Sequence, residues 1–576
     1  MTQSVGILFL HVGSPQLKLL HIPPGLVAVM NFVSQMSHTA VSLRAVQWED
    51  MNHDVVAEFI HNTQARVLAL PVFSDGHERV EHLIRGLREQ QLIQAVVVGG
   101  PHVEAVGSAF LKGVEGVFCC RESSGAQVYR TFSRAIESVA GIHSTLRSGV
   151  IDGEPLGLGP IRYELLEQLA PGTAALLRPV IISSLGCDHK CLFCAEGCRE
   201  GGVMFRARDA IQDEMDWIAS RTEFPYVMIA DDNALASEDH TRLLLQVISK
   251  GLALRSDLQF FVLARPDDVV AKQSILRSLS AHNVVRIQLG IESGCQKMRQ
   301  RYGKRLTTEI IRDAVRSLYQ SGIPFVVGTF ILGGPYEDEF SLAQTESLIH
   351  ELLDAAPGVF EPAFSFLRPY PGTRIATSFK DGLKSIPGIR VGNTIEDRPL
   401  METPALNEQQ LIENRDALMS SVREHMLALA DRLGTEFWLK KHACEQRCRF
   451  ESLWTAYFTE APNCSSFLRL MSGRELVNIH ALSGSDLKGY RPRCTVEIPV
   501  AACFRGMSLP FGRGKIAQIS AETARVLSLC NGERTLQQVI NDFNLKYPSH
   551  AKTNANMHWD SLKELTEGFL LIWDSP

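Results

Sequence analysis

Over its first 140 residues the chain alternates short apolar runs with longer stretches whose apolar positions recur every three or four residues. The run at 5–10 has the length and composition of a buried strand, and 41–46, 67–72, 95–98 and the short 116–118 read as further strands of a parallel sheet. Between them, 25–35, 55–62 and 78–90 read as helices, and another starts near Gly125. Such strict alternation predicts an α/β fold with a doubly wound parallel sheet and ligands at the carboxyl ends of its strands. Residues 141–178 crowd Gly153, Pro155, Gly157, Gly159 and Pro160 together, which reads as a linker with one short helix at 163–169. The strand-then-helix pattern then resumes, with strands at 180–183, 227–230, 260–264, 285–289, 325–331 and 363–366. Six such units suit a partial (β/α)6 barrel rather than a closed eightfold one, again with its chemistry at the carboxyl ends.

The last third is patterned differently. Residues 407–433 form one long amphipathic helix, and the chain then becomes irregular. A hairpin at 509–520 around Gly512-Arg513-Gly514 is followed by helices at 521–530, 535–545 and 559–567, a small α+β module. The expected organisation is a Rossmann-like domain at 1–140, a linker at 141–178 and a barrel at 179–400. A helical and irregular region at 401–504 and a winged-helix-like module at 505–576 complete it.

Composition narrows the class. Apolar residues make up 45% and charged residues 21%, which is ordinary for a globular chain, and a net charge of −6 argues against a broad polyanion-binding face. The last helices carry no Lys/Arg-rich recognition face, so nucleic acid is not an expected partner. No apolar run is long enough for a membrane span, and the N-terminus enters a strand without a signal peptide. Thirteen cysteines in that setting predict a reducing cytoplasm and metal-binding or free-thiol roles.

The densest chemistry lies just past the apolar run Val180-Ile181-Ile182, where Cys187, Cys191 and Cys194 stand at C-x3-C-x2-C spacing with Phe193 before the last. Three thiolates on one tight loop can hold three irons of a [4Fe-4S] cluster and leave the fourth open to an outside ligand. With Cys198 as a fourth ligand, a structural zinc site or a closed, electron-carrying cluster would be the alternatives. Zinc sites usually pair two C-x2-C units and ferredoxins use tighter runs with a following proline, and neither pattern is present. Cys444 and Cys448, one helical turn apart, read as ordinary thiols.

Other strand ends are also loaded. After the barrel's second strand come Asp231, Asp232 and Asn233, and after its third Arg265-Pro266-Asp267. The fourth runs into Gly290-Ile291-Glu292-Ser293, the fifth ends in Gly333-Gly334-Pro335-Tyr336-Glu337, and Pro369-Tyr370-Pro371-Gly372-Thr373 follows the sixth. A carboxylate at a strand end can accept hydrogen bonds from a ribose, and Glu292 is the candidate for that role. The acidic residues could instead cap helices or pair with arginine, as Glu214 could with Arg206 or Arg208. In the N-terminal domain no G-x-G-x-x-G follows the first strand, which disfavours a nicotinamide site. The pair Gly99-Gly100, before Pro101 and His102, instead lets backbone approach a large flat ligand.

The cysteine loop resembles the signature of the radical S-adenosylmethionine (SAM) superfamily, in which SAM chelates the open iron. The Gly99-Gly100-Pro101-His102 segment resembles the cobalamin-binding domain that precedes many such enzymes, although Arg121-Glu122 stands where that family usually has Gly-Glu. The G-I-E-S and P-Y-P-G-T segments resemble those of cobalamin-type members, while Tyr336 occupies a position where relatives carry glycine. The resemblance implies three cofactors: a [4Fe-4S] cluster on Cys187, Cys191 and Cys194, SAM, and cobalamin. Candidate SAM contacts are Phe193, Asp231, Asp232, Glu292 and Ser293; candidate cobalamin contacts are Ser74, Asp75, Gly99, Gly100, Pro101 and His102. No D-x-H-x-x-G follows the first strand, so cobalamin is expected without histidine on cobalt, His77 being a loop residue near it.

What the family implies is methylation of an unactivated carbon through a 5′-deoxyadenosyl radical and methylcobalamin, on a small molecule or a peptide. The reductant would be a protein such as flavodoxin or ferredoxin. Alternatives are a cobalamin-dependent cyclase or oxidase, and a non-catalytic zinc or electron-carrying iron–sulfur protein. The terminal module resembles the peptide-binding modules of enzymes that modify ribosomal peptides.

Overall fold

Strands covered on both faces need apolar side chains at successive positions, and the first sheet supplies them. In β1 (Val5–Val12) the side chains of Val5, Ile7, Leu8, Phe9 and Leu10 are all buried. It pairs in parallel with β2 (Thr39–Val46) on one side and β3 (Val67–Pro71) on the other, and β4 (Ala95–Gly99) and β5 (Val117–Cys119) follow. The order β2-β1-β3-β4-β5 reverses direction between β1 and β3, a topological switch point that opens a crevice at the carboxyl edge. Helices between the strands start where the sequence caps them: Asn52 accepts from the Val55 N–H at 3.0 Å, and Ser124 from that of Gln127 at 3.4 Å.

This computed structural model describes residues 4–13, 21–146, 155–169, 177–198, 202–379, 382–385, 398–430, 432–448, 450, 452–459, 486–494, 507–511, 515–546 and 571–574. One helix that patterning alone does not predict is Pro101–Val106, too short to show a period. Its proline occupies the first turn, where no N–H is needed, directly after Gly100 at φ 91°. Pro101 and His102 therefore open a helix rather than line a loop. His77, expected in a loop, likewise heads the helix His77–Glu89.

The second sheet has six strands in the order β13-β12-β11-β10-β9-β6. These are β6 (Val180–Ile181), β9 (Tyr226–Ile229), β10 (Gln259–Ala264), β11 (Val284–Glu292), β12 (Phe325–Leu332) and β13 (Phe360–Phe366). The predicted (β/α)6 winding is present, with parallel pairing from β6 through β12. The first strand is shorter than expected, because β7 (Ser184–Leu185) leaves it to pair antiparallel with β8 (Met204–Phe205). That hairpin carries the cysteine loop between its arms. The linker's short helix is present at Tyr163–Gln168 as a 3-10 helix.

By internal packing the chain divides into two units, Met1–Glu351 with Pro362–Leu418, and Leu352–Glu361 with Met419–Pro576. In the second unit the stretch expected to be irregular is helical at Thr435–Cys448 and Leu453–Thr459. Two fully buried tryptophans, Trp438 and Trp454, anchor it, and the Trp454 indole N–H donates to the Phe360 carbonyl at 2.7 Å. Cys444 and Cys448 are buried free thiols. The terminal module has its hairpin, Met507–Phe511 with Lys515–Ile519, and the helices Ala521–Leu527 and Leu536–Lys546. Its start lies upstream of residue 505, because Arg491–Cys494 pairs antiparallel with Leu571–Asp574 and the Cys494 N–H donates to the Cys530 carbonyl at 2.8 Å. The hairpin turn at 512–514 and the helix expected at 559–567 lie outside the described residues. No described helix is long and apolar enough to cross a membrane.

Candidate functional site

The cysteine loop is shaped by its own backbone before any ligand is considered. Gly186 sits at φ 84° where a Cβ would come 2.5 Å from the Gly202 carbonyl, so only glycine lets the loop leave the hairpin. The Cys194 N–H closes a turn on the Cys191 carbonyl at 3.3 Å. Both backbone groups of Leu192 are used: its N–H donates to the Tyr302 carbonyl at 2.9 Å and its carbonyl accepts from the Ile375 N–H at 2.8 Å. Phe193 packs edge-on against Tyr302, with ring centroids 5.5 Å apart, on an apolar cluster that includes Cys295, Met298 and Leu367. It supports the loop from behind.

Asp231 holds the strand from which the loop departs. Its Oδ1 accepts the N–H groups of Ser183 (2.6 Å) and Ser184 (3.1 Å), and its Oδ2 accepts their hydroxyls at 2.5 and 2.8 Å. All four acceptor directions of this fully buried carboxylate are filled by the chain. Asp231, expected against SAM, thus clamps the loop root. Asp232 beside it is exposed. Ser293 is buried, and its hydroxyl accepts the Cys295 N–H at 3.1 Å and meets Thr345.

Cys191 is buried, and Cys187 and Cys194 are half-buried. Burial pushes the Cys194 thiol up to about 11 and that of Cys187 upward as well, the charge of Asp232 adding to both. As free thiols they are protonated near neutrality, and bound iron would displace those protons. The Arg265 guanidinium, braced on Asp267 by two 3.0 Å contacts, points Nη1 at Cys191 Sγ from 3.8 Å. Soft donors with a cation beside them fit an anionic iron–sulfur cluster. Among the described residues no three His, Cys, Asp or Glu groups converge as ligands of one ion, whereas thiolates of a cubane bind separate irons and stand apart. In the sequence, the one signal for this role of Arg265 is its position directly after β10.

Glu292 ends β11 at φ 70°, just after the pairing register shifts between Gly290 and Glu292. It is 6% exposed and paired with an unforeseen partner, Lys304, at 2.6 Å. At the end of β12, Glu337 is fully buried; its Oε2 accepts the Gly333 N–H, while Oε1 and the nearby Tyr302 hydroxyl are buried without hydrogen-bond partners. Tyr336 sits at φ 59° under the Arg301 guanidinium, which lies 4.8 Å from its ring centroid. Burial pushes the Glu337 carboxyl up to about 8, outweighing its bonds from the Gly333 and Gly334 N–H groups. Between about pH 4.5 and about pH 8 the folded chain thus keeps a proton that the unfolded chain has lost, and stability falls as pH rises through that window. Glu337→Gln should flatten this slope when urea midpoints are compared at about pH 6 and about pH 8.5. An unchanged slope would assign the pH dependence elsewhere.

At the carboxyl edge of the first sheet, Gly100 and Pro101 are exposed, leaving an open backbone ledge, and Phe73 stands beside them at 55% exposed. His102 turns inward instead. It is buried, stacks on His77 with centroids 4.2 Å apart, and meets Ser74 Oγ at 3.2 Å. Burial, then the charge of His77, lowers its pKa to about 4. His77 Nδ1 is held by the Ser74 carbonyl at 2.9 Å. Both histidines thus brace the Ser74 turn.

The two carboxyl edges meet. The Tyr370 hydroxyl, in the P-Y-P-G-T loop after β13, donates to Asp75 Oδ2 at 2.6 Å, and Arg368 Nη1 lies 3.5 Å from Oδ1. In the same loop a Cβ on Gly372 would come within 3.2 Å of Ala105, in the helix after the glycine pair. Asp75 is thus engaged as a bridge to the barrel.

Residues 181–349 match the family model described as the radical SAM superfamily, and the chain carries a radical SAM domain. Among curated proteins it is 22% identical over 298 residues to an uncharacterized methyltransferase of Pyrococcus horikoshii, PH0819, covering 49% of this chain and 62% of that one. It is 21% identical over 246 residues to the anaerobic magnesium-protoporphyrin IX monomethyl ester cyclase of Cereibacter sphaeroides, covering 42% and 38%. These matches span less than two thirds of either relative. Among solved structures, the cobalamin-dependent SAM radical enzyme OxsB with aqua-cobalamin and SAM bound superposes with a TM-score of 0.55. That match is 14% identical and covers 99% of this chain and 84% of the other, so the two share a fold.

Proposed function

We propose that the chain is a cobalamin-dependent radical SAM methyltransferase acting on an unactivated carbon. The observation that carries this reading is the seam at Asp75, Tyr370 and Arg368, which sets the ledge at Gly99 and Gly100 against the mouth of the barrel that bears the cysteine loop. A methyl carrier and a radical generator must share one substrate, and facing carboxyl edges provide that arrangement. Bound there, a reduced cluster supplies the electron that cleaves SAM and a corrin supplies the methyl group.

The residues have distinct tasks. Cys187, Cys191 and Cys194 hold the cluster, Arg265 offsets its charge, and Asp231 fixes the loop root. Glu292 accepts from the SAM ribose, and Asp232 lines the same side. Gly99, Gly100 and Pro101 let the corrin lie against backbone, with Ser74, His77 and His102 shaping the adjacent turn. The substrate is a small molecule or a peptide, the peptide clause resting on the winged-helix-like module. The electron donor is a flavodoxin or ferredoxin, and the setting is the cytoplasm.

One curated relative is a methyltransferase by name and the other a cyclase, and stoichiometry separates the two. A methylase of this kind forms S-adenosylhomocysteine and 5′-deoxyadenosine in about equal amounts, since each turnover uses SAM in two roles. Deoxyadenosine formed with product, but with no S-adenosylhomocysteine and no methylene mass gain, would reject methyl transfer and leave a cyclase or oxidase.

A further inference from the structure

Residues 302–304 touch the cysteine loop and the ribose carboxylate at once. Lys304 is 4% exposed, and its ammonium donates to Glu292 Oε1 at 2.6 Å and to the Gly290 carbonyl at 2.8 Å. It also stands 5.9 Å over the ring of Phe193 in the cysteine loop. Gly290 makes room for the pair: a Cβ there would lie 2.6 Å from Lys304 Nζ and 2.7 Å from Glu292 Oε1. One residue earlier, Gly303 at φ 77° passes the Lys190 carbonyl where a Cβ would come within 3.1 Å. The Tyr302 carbonyl, as described, receives the Leu192 N–H.

Glu292 needs such help for two reasons. Its backbone is in the left-handed region, which a side chain occupies only where surrounding structure holds it. Its carboxylate is also buried, and a buried charge without a partner is strongly disfavoured. Lys304 meets both needs while resting on the cysteine loop.

We propose that Lys304 is a positioning residue that fixes the Glu292 carboxylate against the cysteine loop, filling Oε1 so that Oε2 is presented to the SAM ribose. The inference rests on the radical SAM reading and adds the residue that keeps ribose contact and cluster loop in one register. SAM is the probe, and its dissociation constant is measured by equilibrium dialysis on full-length, cluster-reconstituted protein. The set is wild type, Lys304→Met, Glu292→Gln and the double variant. Lys304→Met should keep wild-type iron, bind SAM about tenfold or more weakly, and lose the change that SAM makes in the EPR spectrum of the reduced cluster. The double variant should bind no more weakly than Glu292→Gln, because Lys304 acts through Glu292. Wild-type SAM affinity in Lys304→Met, or additive losses in the double variant, would overturn the proposal. If Lys304→Met does not fold, the double variant, with no buried charge left unpaired, is compared with Glu292→Gln directly. Equal affinities then support the proposal, and a further loss of about tenfold overturns it. A wild-type protein that holds its cluster but never binds SAM would instead sink the functional reading.

Discussion

Alanine in place of Cys187, Cys191 or Cys194 is expected to bring the iron and sulfide of anaerobically reconstituted protein, and its cleavage of SAM, down to background. Each thiolate in a three-cysteine site holds a different iron, so no remaining ligand can take over a lost position. The loop is held against rearranging to recruit another, since Leu192 is bonded through both its N–H, to the Tyr302 carbonyl, and its carbonyl, to the Ile375 N–H. Cys198→Ala is the control and should keep iron and SAM cleavage. Loss of the cluster in that variant would mean four protein ligands, no open iron, and an electron carrier in place of a radical enzyme. The measurement is therefore decisive between the two classes.

The second large effect concerns stability. Arg206 and Glu214 are fully buried at the side chain and paired through the two terminal guanidinium nitrogens, Nη1 reaching Oε2 at 3.1 Å and Nη2 meeting Oε1. Arg206 also donates to the carbonyls of Ile182 at 2.6 Å and Gly159 at 2.8 Å, tying the strand before the cysteine loop to the linker. Burial already pushes the Glu214 carboxyl up against the pull of Arg206. Arg206→Met strands that carboxyl and those two carbonyls, at an expected cost of about 3–5 kcal/mol in urea unfolding. Adding Glu214→Gln should recover part of the loss by removing the unpaired charge. A single variant as stable as the wild type would show the pair to be dispensable to the fold.

Much of the architecture was legible because it follows from local rules. Apolar runs marked β1, β3 and β4 within a residue or two, since a strand covered on both faces leaves no polar alternation, whereas the β2 run is interrupted by Ser42 and Arg44. The cysteine spacing located the loop, because ligands of one cluster on a tight turn must be close in sequence. Arg206 and Glu214 were readable as possible partners for the same reason of proximity. The helix at Pro101–Val106 escaped because six residues show no period, and the helices of Thr435–Cys448 and Leu453–Thr459 because their burial is not confined to one face.

The roles of individual polar residues at the strand ends are a different matter. The sequence marked Asp231, Glu292 and Asp75 as acids at strand ends without showing their partners. Folding separates them: Asp231 is filled by two serines some forty-eight residues earlier, Glu292 is engaged at Oε1 alone by Lys304, and Asp75 meets Tyr370 from a loop 295 residues on. Local pattern carries the period of each element and the ligand spacing within a single loop, since both depend on neighbours along the chain. Which carboxylate is occupied and which faces a ligand depends on desolvation and partners brought from distant segments, and those exist only once the sheets are assembled.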